Sequence, residues 1–380
     1  MTDRRANILF HPMKHELKQL QGITREFSVE GNCQQAVPYG TGHINDTYLV
    51  TMDNGGADKY ILQRINHNIF KNPPLLMDNI LRVTSHIRGK ISGLPGGNPD
   101  RESLTVIPTR AGTSFLHDEQ GNFWRLYIFI GDARTYDICE TTQQARETAA
   151  AFGRFQALLA DIPGGRLHET IPFFHHTPRR FETLEKAIAE DKLNRCAEAR
   201  REIEFCLKHK PLTSALTDLL ENGKMPERIS HNDSKINNVM MNSADGKGIC
   251  VIDLDTVMSG SCLYDFGDMV RTAARTMDED ERDLDKVILK IEFFEALTQG
   301  YLQTARSFLT PVEIANMVTS GKVITFTIGI RFLADYLVGD TYFKIHRAGH
   351  NLDRARVQFK LLASIEEQEE KMRKIVRQNC

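Results

Sequence analysis

The chain has 380 residues, of which 41% are hydrophobic and 26% are charged, and its formal net charge at pH 7 is −2. This length can form two hydrophobic cores, and the lack of a basic excess argues against a nucleic-acid partner. No stretch approaches the ~18 apolar residues of a membrane-spanning helix, and the first residues lack the apolar run of a signal peptide. We therefore expect a cytoplasmic protein, and no obligate protein partner is evident.

The character of the sequence changes near residue 130. Before this point, short β-prone runs alternate with glycine and proline, whereas helical periodicity dominates the remainder. The change predicts an amino-terminal lobe of residues 1–130 and a carboxy-terminal lobe of residues 131–380. The predicted fold class is α+β, with a small β-rich lobe and a larger, mostly helical lobe.

A glycine pair precedes a strand-like run early in the first lobe. Glycine allows backbone N–H groups to approach phosphate oxygens, so this turn is a candidate nucleotide loop, although a lone G-x-G is more often a simple turn. The candidate nucleotide contacts are Gly40, Thr41 and Gly42. The next polar residues, His43 and Asn45, can contact a phosphate or the acceptor, or can be exposed turn residues.

Three segments predict regular structure around the lobe boundary. Residues 59–64 indicate a strand, and residues 123–130 indicate the last strand of the first lobe. Residues 141–160 have a polar start and apolar residues at helical spacing, so they predict a core helix of the second lobe.

The chemistry is most visible in the sequence H-x-D-x-x-x-x-N at His231, Asp233 and Asn238. Phosphoryl transfer from a nucleotide to a hydroxyl needs a carboxylate at the acceptor proton and oxygen ligands for Mg²⁺ near the phosphates. Asp233 is the candidate base and a candidate contact of the acceptor. His231 is the second candidate catalytic residue, which we expect to support the loop. Asn238 is a candidate metal ligand. This pattern predicts a phosphoryl-transfer site.

A β-hairpin is predicted directly after this motif. Residues 239–242 and 249–252 are β-prone and are separated by a turn-forming segment, so the hairpin returns Asp253 towards Asn238. Asp253 is therefore a candidate metal ligand. Strand alternation places Asp255 on the same face as Asp253, which makes Asp255 a candidate second ligand or substrate contact.

Two later regions bear on the site. Asp265 begins the sequence D-F-G but precedes a helical run, so we expect it to start a helix and to support the catalytic loop. Residues 282–299 and 311–338 continue the helical pattern. Within the second of these, Arg331 and Asp335 share one helix face, where they are candidate acceptor contacts or an intrahelical salt bridge.

These motifs resemble those of the aminoglycoside phosphotransferase and choline kinase superfamily, and the closest resemblance is to bacterial N-acetylhexosamine 1-kinases. The resemblance rests on residues 39–48, 60–66, 231–238, 252–257 and 264–268. It implies a two-lobed protein-kinase-like fold, ATP as co-substrate and Mg²⁺ as cofactor.

The resemblance also implies further nucleotide contacts in the first lobe. The hinge that flanks the adenine in this superfamily corresponds to residues 127–130, which makes Phe129 a candidate contact. Where protein kinases carry a phosphate-binding lysine, this sequence has Gln63, followed by Arg64 on the opposite strand face. Either residue can contact the nucleotide, and a solvent-exposed Arg64 is an equal alternative.

The sequence contains less information about the acceptor substrate than about the reaction. An aminoglycoside kinase should present a strongly acidic cleft and a choline kinase an aromatic cage, and neither is evident here. We therefore expect a neutral sugar, and the resemblance implies an N-acetylhexosamine such as GlcNAc or GalNAc, phosphorylated at its anomeric hydroxyl by in-line transfer. The alternatives are a kinase for choline, ethanolamine, homoserine or an aminoglycoside and, in a different class, a catalytically weak nucleotide-binding scaffold.

Overall fold

The computed structural model describes residues 15–40, 44–53 and 59–380. The chain divides into two compact units. The first comprises the described residues up to Leu81 together with Leu104–Gly131, and the second comprises Arg82–Ser103 and Asp132–Cys380. The domain boundary predicted after residue 130 stays a prediction.

The described part of the first unit contains a six-stranded antiparallel sheet in the order β1-β2-β3-β6-β4, with β5 also paired to β6. Its strands are β1 Cys33–Pro38, β2 Asp46–Met52, β3 Lys59–Ile65, β4 Val106–Ile107, β5 Leu116–His117 and β6 Phe123–Ile128. Helix α1 is Leu17–Arg25, and α2, Pro73–Ser92, contains the division between the units. The inner faces of β1–β3 and β6 pack with α1 around the fully buried Trp124.

The second unit is mainly helical. Its helices are α3 Pro99–Glu102, α4 Thr142–Leu159, α5 Thr177–Glu190, α6 Arg200–Lys208, α7 Thr217–Glu221, α8 Cys262–Ala273, α9 Ile291–Ala305, α10 Pro311–Ala315, α11 Met317–Val338, α12 His350–Glu367 and α13 Glu369–Gln378. Its short strands are β7 Ala133–Arg134, β8 Arg228–Ser230, β9 Val239–Asn242, β10 Gly248–Val251 and β11 Met258–Gly260. Strand β9 pairs with β10 and β7, and β8 pairs with β11.

Helix α4 confirms the helix predicted over residues 141–160. Thr141 is its N-cap and forms a capping box with Gln144, which satisfies backbone groups that the first helical turn leaves unpaired. The helix packs closely on α9 through two glycines, Gly153 and Gly300. A Cβ on Gly300 would lie 2.0 Å from the carbonyl oxygen of Arg146, so only glycine fits this crossing.

The helix predicted over residues 282–299 is wrong at its start. Helix α9 begins at Ile291, and a 3₁₀ turn, Leu284–Lys286, precedes it. The Glu281 carboxylate accepts hydrogen bonds from the backbone N–H groups of Arg282 and Asp283, each at 2.8 Å. Such local bonds to acidic side chains compete with helix formation. The helical pattern predicted over residues 311–338 is likewise divided, into α10 and α11, at Asn316.

Helix α11 is long and apolar enough to cross a membrane, although the sequence was expected to contain no such stretch. Of its most apolar window, 83% is buried inside the protein. The helix is therefore a core element around which the second unit packs. Cytoplasmic localisation stays a prediction.

We predict that Gly300→Ala lowers the free energy of unfolding by about 1–3 kcal/mol, because the added methyl group forces α4 and α9 apart. Gly22→Ala in α1 is the matched control, since a Cβ there meets nothing within 4 Å. The control should be neutral or stabilising by about 0.5–1 kcal/mol. Urea unfolding of both variants tests this, and equal stabilities would refute the close packing of α4 on α9.

Candidate active site

A buried carboxylate holds the loop that carries the predicted catalytic motif. Asp265, in the first turn of α8, accepts through Oδ1 from Ser230 Oγ at 3.0 Å and from the Asn232 N–H at 2.7 Å. Its Oδ2 accepts from the His231 N–H at 2.9 Å and from Gln156 Nε2 at 2.6 Å. Burial raises the pKa of Asp265, although the loop N–H donors oppose the rise. The predicted helix start and loop support are both confirmed.

His231 braces the loop from within the core. Its Nε2 donates to the Ile252 carbonyl at 2.9 Å, and its Nδ1 accepts from the Asp233 N–H at 3.3 Å. This pattern makes Nε2 the donor of the ring and Nδ1 its acceptor. The ring is fully buried and stands edge-on to Phe152 at 5.2 Å between centroids. His231 therefore orients the backbone at Asp233.

Both carboxylate oxygens of Asp233 are oriented by neighbours on the same loop. Lys235 Nζ lies 3.0 Å from Oδ1, and Asn238 Nδ2 donates to Oδ2 at 3.1 Å and to the Asp233 carbonyl at 2.7 Å. The Asp233 side chain remains 28% exposed. Burial acts to raise its pKa, but neighbouring positive charge, chiefly that of Lys235, holds the pKa below the ordinary value. Asp233 is therefore ionised and accessible at neutral pH.

Lys235 was not identified from the sequence. Its pKa is raised, mainly by the charge of Asp233, so it remains a cation. The only indication of this contact in the sequence is that Lys235 lies two residues after the candidate base. The spacing alone did not show whether the ammonium group would turn towards the carboxylate or towards solvent.

The hairpin predicted after the loop is confirmed. Strands β9 and β10 pair antiparallel, with Val251 opposite Val239. Beyond the strand end, the Ile252 N–H donates to the Asn238 carbonyl at 2.9 Å. This bond places Asp253, the next residue, beside Asn238 as predicted.

The strand alternation used to place Asp255 is wrong. Strand β10 ends at Val251, and Asp253 adopts a left-handed conformation with φ 59° and ψ 57°. A 3₁₀ turn, Leu254–Thr256, then directs Asp255 inwards, where it is only 2% exposed, whereas Asp253 is exposed. The two carboxylates therefore do not share a strand face.

Asn238 and Asp253 carry side-chain oxygens of the kind that a hard cation prefers. Asn238 bonds to Asp233 through Nδ2, so its Oδ1 is the atom available as a ligand, and Mg²⁺ prefers such oxygen ligands. Among the residues that the structure describes, no three His, Cys, Asp or Glu side chains form a metal-binding cluster. A bound Mg²⁺ would thus depend on nucleotide oxygens as well as on these two side chains.

The predicted acceptor contact Arg331 lies in a box of aromatic rings. Its guanidinium carbon is 4.9 Å from the ring centre of Phe174, 5.6 Å from Tyr342 and 5.4 Å from Phe343. Desolvation lowers the pKa of Arg331 below its ordinary value. Within the described part of the chain, no carboxylate lies within 4.0 Å of this partly buried cation, and Asp335 bonds to a nearby loop instead.

A buried histidine supports the peptide that precedes Asp233. His175 Nε2 donates to the Asn232 carbonyl at 2.8 Å, and Asn232, at φ 67°, donates through Nδ2 to the Thr256 carbonyl at 2.8 Å. Burial lowers the pKa of His175 to about 4, so the ring is neutral at physiological pH. No pattern in the sequence indicated this contact, because residue 175 is far from the loop along the chain.

In the first unit, the two residues at the expected lysine position are engaged by neighbouring strands. Gln63 Nε2 donates to Thr47 Oγ1 at 3.0 Å, and its Oε1 accepts from Arg125 Nε at 3.0 Å. Arg64 forms an ion pair with Asp46, with its Nε 2.7 Å from Oδ2. Arg64 is therefore more than a solvated surface residue, and its nucleotide contact stays a prediction, as does that of Gln63.

The other candidates in the first unit are placed as follows. Gly40 has φ 79°, which favours glycine, and Asn45 Oδ1 accepts from the Asn66 N–H at 3.0 Å. Phe129 follows β6, and its ring meets that of Tyr39 edge-on at 5.9 Å. Three further candidates, Thr41, Gly42 and His43, lie outside the described residues. The contacts of this group with nucleotide or acceptor stay predictions.

Comparisons with known proteins show the family and the fold of this chain. The model of the phosphotransferase enzyme family matches residues 35–309. The structure is similar to that of a microcompartment-associated aminopropanol kinase, with 16% identity, a TM-score of 0.57 and coverage of 94% of this chain and 98% of that chain.

Two further kinase structures share the fold. An amicoumacin kinase in complex with AMP-PNP, Ca²⁺ and Ami has 13% identity and a TM-score of 0.58, with coverage of 93% of this chain and 94% of that chain. Choline kinase from Cryptosporidium parvum Iowa II has 13% identity and a TM-score of 0.56, with coverage of 94% and 98%. The predicted two-lobed, protein-kinase-like α+β fold is confirmed.

We predict that Asp265→Asn lowers the free energy of unfolding by at least about 2 kcal/mol and reduces kcat more than 10-fold, because the amide turns N–H donors towards the donors of the loop. Asp245→Asn, in an exposed turn, is the matched control and should change neither quantity. Urea unfolding and steady-state kinetics are the measurements. An Asp265→Asn protein with the stability and kcat of the control would contradict the anchoring role.

Proposed function

The chain belongs to the phosphotransferase enzyme family, and from this premise we propose that it transfers the γ-phosphoryl group of ATP to the anomeric hydroxyl of an N-acetylhexosamine. Kinase chemistry on a small molecule agrees with the family and with the ordered catalytic loop. The choice of a sugar as the acceptor is the part of the proposal that goes beyond the family. It rests on the positive charges of Lys235 and Arg331, which both interact with the Asp233 carboxylate.

The catalytic step assigned to Asp233 follows from its two fixed oxygens. The acceptor hydroxyl oxygen forms a bond to the γ-phosphorus as the bond from that phosphorus to the β,γ-bridging oxygen breaks, and ADP leaves. The hydroxyl proton passes to the Asp233 carboxylate, which Lys235 and Asn238 hold in one orientation. A carboxylate with a lowered pKa orients the hydroxyl from the start and takes the proton late in the transfer.

Asn238 and Asp253 would hold Mg²⁺, which when bound neutralises phosphate charge during the transfer. The amicoumacin kinase was solved with a nucleotide analogue and a divalent cation, which supports the same type of site here. Buried Asp255 is the weaker ligand candidate. Its carbonyl accepts from Thr170 Oγ1 at 2.8 Å, which ties the 3₁₀ turn beneath the site.

The observation that carries the acceptor proposal is the aromatic box of Phe174, Tyr342 and Phe343. A choline-type acceptor requires such a cage for its own ammonium group, but here Arg331 occupies it. The positive charges of Arg331 and Lys235 would also repel a cationic aminoglycoside or amino alcohol. A neutral acceptor rich in hydroxyl and carbonyl oxygens can accept hydrogen bonds from Arg331, and an N-acetylhexosamine has both groups.

Homoserine is the second candidate, because its carboxylate could pair with the same guanidinium. The scaffold alternative was motivated by Gln63 at the lysine position. It has less support, because a scaffold does not need Asp233, Asn238 and Asp253 in an ordered arrangement.

The direct test is ADP release from Mg·ATP with N-acetylglucosamine, N-acetylgalactosamine, plain hexoses, choline, homoserine and an aminoglycoside as acceptors. Turnover should be confined to the N-acetylhexosamines or strongly favour them. We predict that Asp233→Asn retains the fold and ATP binding but loses about 10²–10⁴ in kcat, the usual contribution of a positioned base. Turnover on choline or the aminoglycoside alone would refute the neutral acceptor, and silence with every acceptor would favour the scaffold.

A pH profile tests the pairing of Asp233 with Lys235. Because the ammonium group lowers the pKa of Asp233, its removal in Lys235→Met should raise that pKa towards the ordinary value. The acid limb of kcat/KM should therefore move to higher pH, whatever the loss in rate. Lys247→Met removes an exposed lysine and is the control. An acid limb that stays in place in Lys235→Met would show that Asp233 does not control it.

A further inference from the structure

Asp335 lies in the last turn of α11, one helical turn after Arg331, and its carboxylate organises the loop that follows. Oδ1 accepts from the Thr341 N–H at 2.9 Å and from the Tyr342 N–H at 2.8 Å, and Oδ2 accepts from the Phe343 N–H at 3.0 Å. Three consecutive backbone donors thus converge on one side chain that is only 5% exposed.

The turn before these donors is fixed as well. Gly339, at φ 110°, ends α11, and Asp340, at φ 59°, continues the reversal of the chain. The Asp340 carboxylate accepts from Arg195 at 2.7 Å through Oδ2 and from Asn351 Nδ2 at 2.9 Å through Oδ1. Asn351 Nδ2 also donates to Asp335 Oδ2 at 2.9 Å. The two carboxylates therefore share one amide donor, which ties the loop to α12.

The same loop contributes two of the three rings around Arg331. In the described structure, the backbone N–H groups of Tyr342 and Phe343 donate to no other side chain, so Asp335 sets where their backbone lies. Arg331 has no carboxylate partner within 4.0 Å in the described residues, so these rings determine the direction of its guanidinium. A shift of the loop would move the rings and redirect the guanidinium.

We propose that Asp335 is a positioning residue for the acceptor, acting through the backbone of residues 341–343 and the rings that hold Arg331. The sequence suggested a direct acceptor contact for Asp335, but its two oxygens are occupied by the loop and by Asn351. The inference rests on the proposed acceptor contact of Arg331. It assigns substrate affinity to a side chain that does not touch the substrate.

The test separates the acceptor KM from the other kinetic constants. Asp335→Asn replaces one carboxylate oxygen, which accepts hydrogen bonds, by an N–H group, which can only donate. This N–H group then faces the N–H groups of the loop. We expect the acceptor KM to rise about 10-fold or more, with the ATP KM and kcat within about twofold of wild type. Hydrogen–deuterium exchange at residues 341–343 should accelerate in the same variant.

Tyr336→Phe is the matched control on the same helix. It removes the hydrogen bond from the Tyr336 hydroxyl to Glu198 at 2.6 Å and leaves the loop contacts of Asp335 in place. Its acceptor KM should equal that of wild type. If Asp335→Asn does not fold, Asn351→Ser removes a single donor to Asp335 and should raise the acceptor KM in the same direction.

The outcomes distinguish this inference from the proposed function. Wild-type turnover on homoserine instead of the sugars would refute the proposed acceptor, and the acceptor KM of Asp335→Asn would then be measured with homoserine. Faster exchange at residues 341–343 with an unchanged acceptor KM would overturn the positioning role. A parallel loss of kcat and of affinity for both substrates would overturn it as well, because it would indicate a general structural defect.

Discussion

The site depends on one buried carboxylate, that of Asp265. Burial of an ionisable carboxylate costs desolvation free energy. Hydrogen bonds to its oxygen lone pairs offset this cost. Here the donors are the hydroxyl of Ser230, the N–H groups of His231 and Asn232, and the amide of Gln156. The peptide before Asp233 therefore has little freedom to turn, and the position of Asp233, the proposed base, follows from the cost of leaving Asp265 unpaired.

The charged side chains near this loop are the second determinant of the site. Lys235 lowers the pKa of Asp233, and Arg331 is a second cation whose charge interacts with that carboxylate. In the proposed function, these charges favour neutral or anionic acceptors over ammonium groups. An aminopropanol kinase and a choline kinase share the fold at low sequence identity, so the fold by itself does not specify the acceptor. In our proposal, a few side chains determine the acceptor, above all the guanidinium of Arg331 within the aromatic box.

Sequence reasoning succeeded where chemistry is local. Three features each depend on fewer than about fifteen consecutive residues, within which turn and capping rules operate. They are the spacing of His231, Asp233 and Asn238, the hairpin that follows it, and the first helical turn that contains Asp265. It failed for Asp255, because alternation cannot show that a strand ends at Val251. It could not find the box around Arg331 either, since one of its rings lies more than a hundred residues earlier in the chain.

The central claim is transfer to an anomeric hydroxyl of a neutral sugar, and phosphorus NMR of the product tests it most directly. The protein would be incubated with Mg·ATP and N-acetylgalactosamine, and the product resonance examined for coupling to sugar protons. The account predicts a new phosphomonoester resonance coupled to the anomeric proton, which is absent when Asp233→Asn replaces the wild type. A phosphoester coupled to the C6 protons, or no product other than ADP and inorganic phosphate, would contradict it.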